Sequence, residues 1–195
     1  MAIGAAHAPG ATPLDPDEAA GIIPAGVSTL AELNAYESEN ILRALDWIDG
    51  QRNKDVLDDS FLRELHRRMF DRTWKWSGTY RLTEKNIGIG PSAIAVAVRN
   101  LTLDCRTQLD ARSPNIDEIA ARFHHRLTQI HPFPNGNGRH ARLAADLLLR
   151  QCAKEPFTWG AKHLAAIGPL REAYLEALRE ADKRNMAPLL SFVRT

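Results

Sequence analysis

The residues most able to do chemistry in this chain run together: His131-Pro132-Phe133-Pro134-Asn135-Gly136-Asn137-Gly138-Arg139-His140-Ala141-Arg142. The run follows one apolar helical pattern and opens another, LAADLLLRQC, so it reads as a loop feeding a helix N-terminus. Such a terminus presents unpaired backbone N–H groups and about half a positive charge, which suits an anion. Gly136 and Gly138 let the backbone turn sharply and approach a ligand. Arg139 and Arg142, three apart on the first turns, bring two guanidinium groups within reach of phosphate oxygens. The spacing describes a phosphate cradle; a solvent-exposed Gly-rich turn beside two ion-pairing surface arginines has the same spacing. His131 at the lip of the cradle tips the balance, because an imidazole titrating near neutrality can take a proton from an attacking hydroxyl.

The elements that must position this loop are helical. A capping box at Ser28 or Thr29 with Glu32 opens a helix over 28–50, whose apolar stripe reads Leu30, Leu33, Ile41, Leu42, Leu45 and Ile48. Further helices are expected over 59–70, from Ile94 past Cys105, over 116–130, over 136–152, over 169–183 and over 188–193. Between them, WKWSGTYRLTEKNIGIGPS is punctuated by Gly, Ser and Pro and reads as a loop with a small hairpin; Trp74 and Trp76 read as core aromatics. Residues 1–27, rich in Ala, Pro and Gly, read as an extended or partly disordered arm. The expected fold is all-α with one small β element, as a single domain over 28–195.

Composition narrows the function classes. With 195 residues the chain has the size of one domain and can bury a core without a metal or disulfide staple. Its 25 Lys+Arg against 24 Asp+Glu leave a net charge of +1, which argues against bulk nucleic-acid binding. That average hides the local balance: from His131 to Ala145 there are two Arg, two His and no acid. Cys105 and Cys152 have no partner at metal-ligand spacing and fit a reducing compartment. The absence of a basic-then-apolar leader and of a long apolar run points to a cytoplasmic protein with no membrane span. The seven His show no H-x-x-x-H spacing, and no nucleophile elbow is present.

The run 131–142 resembles the signature of the Fic (Fic/Doc, or Fido) family, H-P-F-x-(D/E)-G-N-G-R-x-x-R, at every defined position except Asn135. LHRRMFDRTWKWSGTYR, over 65–81, is similar to the family's upstream helix and W-A-G-x-Y-R turn, and REAYLEALREADKRNMAPLLSF to its closing helices. About 130 residues are covered, and the Pro-rich leader and architecture look closest to the subgroup called mobile mystery protein B. The resemblance implies a Fic-type helical bundle that transfers AMP from ATP to a Ser, Thr or Tyr hydroxyl of a target protein. It makes His131 the general base. Gly136, Asn137 and Gly138 become the anion hole, Arg139 and Arg142 the outer phosphate ligands, and Phe133 an inward anchor. Asn135 occupies the position of a Mg²⁺-ligating Asp or Glu; its amide oxygen brings no charge, so metal affinity should fall. Three outcomes stay open: AMP transfer with Mg²⁺ held mainly by ATP, transfer of another phosphate-containing group, or a weakly active or non-catalytic nucleotide-binding module.

Residues 82–90 correspond to the family's flap, a hairpin whose edge would hold the target segment by main-chain pairing; Asn86, Ile87, Gly88 and Ile89 are the candidates, against the reading of a plain surface hairpin. Many relatives restrain themselves with a helix of pattern (S/T)-x-x-x-E-(G/N), whose Glu pairs with the second signature Arg. No segment here fits it fully. Glu37 and Glu39 are the candidates for reaching Arg142, against an ordinary solvated helix face. An antitoxin or other regulatory partner is the alternative the resemblance implies.

Overall fold

The structure is a computed structural model that describes residues 15–51, 54–111, 115–160 and 167–195, without the side chain of Ile167. Its helices are α1 (Pro16–Ala19), α2 (Leu30–Asp49), α3 (Asp59–Phe70), α4 (Ile94–Asp110), α5 (Ile116–Ile130), α6 (Asn137–Gln151), α7 (Ile167–Asp182) and α8 (Ala187–Val193), with a 3₁₀ turn Pro91–Ala93 before α4. The expected all-α class holds. The bundle centres on α5, which packs against α6, α4 and α8, while α2 packs on α3, α3 on α6, and α7 on α8. Ala141, Ala144 and Ala145 on α6 are fully buried, and their small side chains let α5 approach closely. Leu62, Leu65, Met69, Phe123, Leu127 and Leu148 fill the space between α3, α5 and α6.

Three features depart from the sequence reading. The buried stripe of α2 is Leu33, Glu37, Asn40, Ala44 and Ile48, whereas Leu30, Leu42 and Leu45 are 52%, 63% and 40% exposed. The helical period is kept, but two of its inward members are polar because α3 and the residues after it offer them partners. Asn40 donates to the Arg68 carbonyl at 3.0 Å and accepts the Arg72 N–H at 2.8 Å.

Residues 82–90, expected as a hairpin, form no strand pair; the isolated bridge Ile22–Trp74 is the sole β pairing among the described residues. The side chain of Arg81 takes the place of a ladder, donating from Nη1 to the Thr83 carbonyl at 2.7 Å and from Nη2 to the Ile89 carbonyl. Within the expected arm, residues 1–14 lie outside the described residues, but α1 is a helical turn. Pro16 opens it, and the Glu18 carboxylate accepts the Asp15 N–H at 2.9 Å.

Candidate active site

Two left-handed residues shape the loop between α5 and α6. His131 ends α5 with φ 54°, and Gly136 begins α6 with φ 77°. At Gly136 no other residue fits: a Cβ there would sit 2.6 Å from the Phe70 ring and 3.4 Å from His66 Nε2. Asn137 closes the loop on itself, its Oδ1 accepting the Phe133 N–H at 2.9 Å and its Nδ2 donating to the Phe133 carbonyl at 2.8 Å. The Asn137 side chain is therefore a loop clamp, and only its backbone N–H is left to face an anion. Phe133 is fully buried, its ring stacked on His66 at 3.7 Å.

His66, which the sequence reading passed over, carries the loop from below. The Gly78 N–H donates to its Nδ1 at 3.0 Å, so Nδ1 is unprotonated and Nε2–H donates to the Asn135 carbonyl, also at 3.0 Å. Burial, aided by His140 and Arg139, holds His66 well below the ordinary imidazole range. His140, on the next turn of α6, bonds the Leu62 carbonyl at 2.8 Å, and burial lowers it to about 4.

Above this neutral platform the α6 N-terminus is open. Intrahelical bonding begins with His140 N–H to Gly136 O at 3.0 Å, and no side chain caps the end. The N–H groups of Asn137, Gly138 and Arg139 thus precede the helical ladder and form the cradle. A Cβ on Gly138 would lie 3.9 Å from Arg142 Nη1, which places that guanidinium beside the cradle. Arg142 lies over the Tyr174 ring at 5.3 Å, and the Tyr174 hydroxyl bonds His124 Nε2 at 3.0 Å.

Arg139 lies over the Phe70 ring at 4.9 Å, and its Nη1 reaches Glu37 Oε2 at 2.8 Å. The other oxygen of this buried carboxylate accepts the Trp74 indole N–H at 2.7 Å. Glu37 therefore faces the first signature arginine, where the expectation was the second. Glu39 points away: it is exposed and pairs with Arg43 at 2.5 Å. The Asn135 amide oxygen, the expected metal ligand, accepts the Gly136 N–H at 2.6 Å. No group of three or more His, Cys, Asp or Glu among the described residues could hold a metal ion. The donor set offers one uncharged, already engaged oxygen, which does not fit a divalent cation held by this chain.

His131 is buried at the cradle's edge. Its pKa is lowered to about 4, first by burial and then by the Arg81 charge, partly offset by a hydrogen bond to the Thr128 backbone. So lowered, the imidazole is uncharged at neutral pH and keeps a lone pair on one ring nitrogen. The segment 82–90 covers this residue: a Cβ on Gly88 (φ 101°) would sit 2.7 Å from His131 Cβ, and the Ile89 N–H bonds the Ile130 carbonyl at 3.4 Å. Ile87 is 45% exposed and Asn86 is also exposed, so of the four flap candidates Gly88 and Ile89 touch the loop and the other two face out.

Arg81, also passed over, lies between the loop and the flap, and α1 reaches the same segment. Lys85 Nζ pairs with Asp15 Oδ2 at 2.9 Å and with Glu18, and the Thr83 hydroxyl donates to Asp15 at 2.8 Å. The signal available for His66 and Arg81 was their place in LHRRMFDRTWKWSGTYR.

Residues 56–149 match the model of the Fic/DOC family. The chain is 27% identical over 148 residues to a protein adenylyltransferase Fic of Nematostella vectensis, covering 73% of this chain and 33% of that one. The chain thus spans a third of that relative's length. The structure resembles the N-terminal FIC domain of the Bep8 protein from Bartonella sp. 1-1C, with a TM-score of 0.70, 14% identity and coverage of 87% of this chain and 88% of the other. It also resembles the N-terminal Fic domain of a Bartonella quintana effector with bound ADP, with a TM-score of 0.69, 20% identity and coverage of 87% and 86%. At these identities the likeness shows the fold. No described helix is long and apolar enough to cross a membrane.

Proposed function

We propose that this chain, whose residues 56–149 match the Fic/DOC family model, belongs to that family and is a protein adenylyltransferase that transfers AMP from ATP to a Ser, Thr or Tyr hydroxyl of a target protein. The observation that carries the reading is one juxtaposition. The buried His131 ends α5 and Gly136 begins α6 five residues on, with no side-chain cap on that helix end and with Arg139 and Arg142 on its first turns. The cradle N–H groups and Gly138 hold the α- and β-phosphates, and Arg139 and Arg142 the outer oxygens. The lone-pair nitrogen of His131 takes the proton as the target hydroxyl oxygen bonds the α-phosphorus. The bond from that phosphorus to the bridging oxygen breaks, and pyrophosphate leaves with the electron pair. Phosphate charge beside His131 counters that of Arg81 and raises the imidazole toward the useful range.

Magnesium, where it takes part, arrives on the nucleotide phosphates; Asn135 adds an uncharged oxygen and no step here is routed through the metal. Residues 86–89 are the segment against which the target chain lies. Glu37 is the candidate brake, since it holds Arg139 away from a phosphate. The free Cys105 and Cys152 fit the cytoplasm, and the leader with α2 ahead of the core fits the mobile mystery protein B subgroup. The engaged Asn135 and the paired Arg139 favour one second reading, a nucleotide-binding regulatory module that works with a partner such as an antitoxin.

Incubation of a native lysate with ATP labelled on the α-phosphate, using wild type, His131→Ala and Asn135→Asp, separates these. Transfer should fall by about 10²-fold or more in His131→Ala and rise in Asn135→Asp. Equal labelling by wild type and His131→Ala would remove the catalytic base; ATP binding without any transfer would favour the regulatory module.

A further inference from the structure

The Arg81 side chain has a role that the transfer chemistry does not use. The residue is 2% exposed, yet no carboxylate among the described residues bonds its guanidinium; burial lowers its pKa, and Glu84 and Glu18 act on it only at a distance. Its hydrogen bonds go to main-chain oxygens on two sides. Nε donates to the His131 carbonyl at 2.7 Å, Nη1 to the Thr83 carbonyl at 2.7 Å and Nη2 to the Ile89 carbonyl, while its own backbone N–H donates to Pro132 O at 2.9 Å. A planar fork donates from three separate nitrogens in fixed directions and so bridges carbonyls on two sides of it, whereas the three donors of a lysine all sit on one nitrogen. One of these carbonyls belongs to a non-glycine residue in the left-handed region, a conformation that persists only when its surroundings hold it. Gly88 leaves room for the arrangement: a Cβ there would lie 2.7 Å from both Arg81 Nη2 and His131 Cβ.

We propose that Arg81 is a positioning residue that holds His131 and the segment 83–89 as one rigid unit, so that the base and the surface receiving the acceptor hydroxyl keep a set spacing. What the unit delivers rests on the adenylyl-transfer reading; that it exists rests on the geometry alone. The groups whose charges face His131 are Arg81 and, more weakly, Lys85.

The test uses the full chain with Arg81→Gln and Arg81→Lys. Amide hydrogen exchange over 83–89 and carbon-13 histidine NMR of His131 need no activity. In Arg81→Gln, exchange should accelerate at least tenfold and the His131 pKa should rise part of the way from about 4, since burial, the larger cause of its lowering, remains. In Arg81→Lys the charge stays and the fork is lost, so exchange should be fast while the His131 pKa stays low. Unchanged exchange and an unchanged His131 pKa in folded Arg81→Gln would overturn the proposal. Should Arg81→Gln not fold, Arg81→Lys decides by exchange over 83–89, where an unchanged rate would overturn the proposal. With α-labelled ATP, label transferred to lysate protein should fall at least tenfold in Arg81→Gln with ATP affinity, by calorimetry, within twofold of wild type; a parallel loss of affinity would overturn the assignment to acceptor positioning. If wild type itself transfers no label, the adenylyl-transfer reading fails, and exchange and NMR still decide the role of Arg81.

Discussion

The phosphate side of the site and the acceptor side are held by different forces. Around the loop 132–140 the supports are neutral: the imidazoles of His66 and His140, the rings of Phe70 and Phe133, and the Asn137 amide, nearly all of them fully buried. Around 81–89 the supports are ionic: the Arg81 guanidinium on three carbonyls and the Lys85 ammonium on Asp15 and Glu18. Neutral close packing answers to volume and to proton uptake, whereas a charge pair open to water at one end, as Lys85–Asp15 is, answers to salt. The two sides should therefore fail under different conditions.

Acid should produce the largest effect, on the phosphate side. Burial holds His124 at about 3, His131 and His140 at about 4, and His66 well below its ordinary value. Unfolded, each titrates near 6.5, so between pH 6.5 and 4 the unfolded chain binds protons that the folded chain does not, and stability falls as pH falls. At pH 5 the loss is about 2 kcal/mol for each of His124, His131 and His140. Together these reach the lower end of the ~5–15 kcal/mol of a whole domain, and His66 acts in the same direction. Stability should be flat above pH 7 and unfolding should set in near pH 5 by near-UV circular dichroism. Asp15 has the same sign in a lower window: Lys85 and Thr83 lower its pKa, so its contribution is intact down to the usual carboxylate range and is lost only as the pH falls below it. A native spectrum at pH 4.5 would break the contrast.

Volume comes next. Gly136→Ala combines backbone strain with a Cβ driven into Phe70, and should cost about 2–4 kcal/mol, read as a lower urea midpoint. Gly26→Ala is the control, since Gly26 has φ 80° and nothing within 4 Å of its would-be Cβ; strain alone should cost about 1 kcal/mol. Equal losses would mean that packing against Phe70 contributes nothing.

Glu37 joins ionic bonding to the neutral side. Glu37→Gln keeps an acceptor for the Trp74 indole and removes the charge facing Arg139, which is one-third exposed and can rehydrate. Stability should fall by about 1 kcal/mol. Freed from the carboxylate, Arg139 should bind ATP about tenfold more tightly by calorimetry, equivalent to about 1.4 kcal/mol. Weaker binding would mean that Glu37 orients Arg139 for the phosphate.

The same contrast explains what could be read in the sequence. The cradle was legible because it depends on local spacing: two glycines, two arginines and His131 within twelve residues. The seven longer helices were legible from apolar period and caps. Glu37 and Asn40 misled the reading of α2, since a stripe chosen by hydropathy turns Leu30, Leu42 and Leu45 inward. Their burial depends on Trp74 and on the Arg68 and Arg72 backbone, about thirty residues away. The 82–90 segment looked like a hairpin because nothing local says that an arginine side chain will replace the strand ladder. His66 was hidden for the same reason: its partners, Gly78 and Asn135, lie 12 and 69 residues on.

The smallest effect belongs to the outer end of the acceptor side. The Lys85 side chain is 2% exposed and pairs with the mostly buried Glu18 and with Asp15, which is 42% exposed, so the outer pair with Asp15 is worth little in water and less in salt. Lys85→Met keeps the stem packing and removes the charge; it should cost about 1 kcal/mol at low salt. At 1 M NaCl, where screening acts within about 3 Å, the gap between variant and wild type should shrink by half or more. Hydrogen exchange over 82–87 should follow the same course, while exchange in α6 and ATP affinity should not move. A gap that salt leaves untouched would mean that Lys85 acts through packing, and that the acceptor side is held, like the phosphate side, by volume.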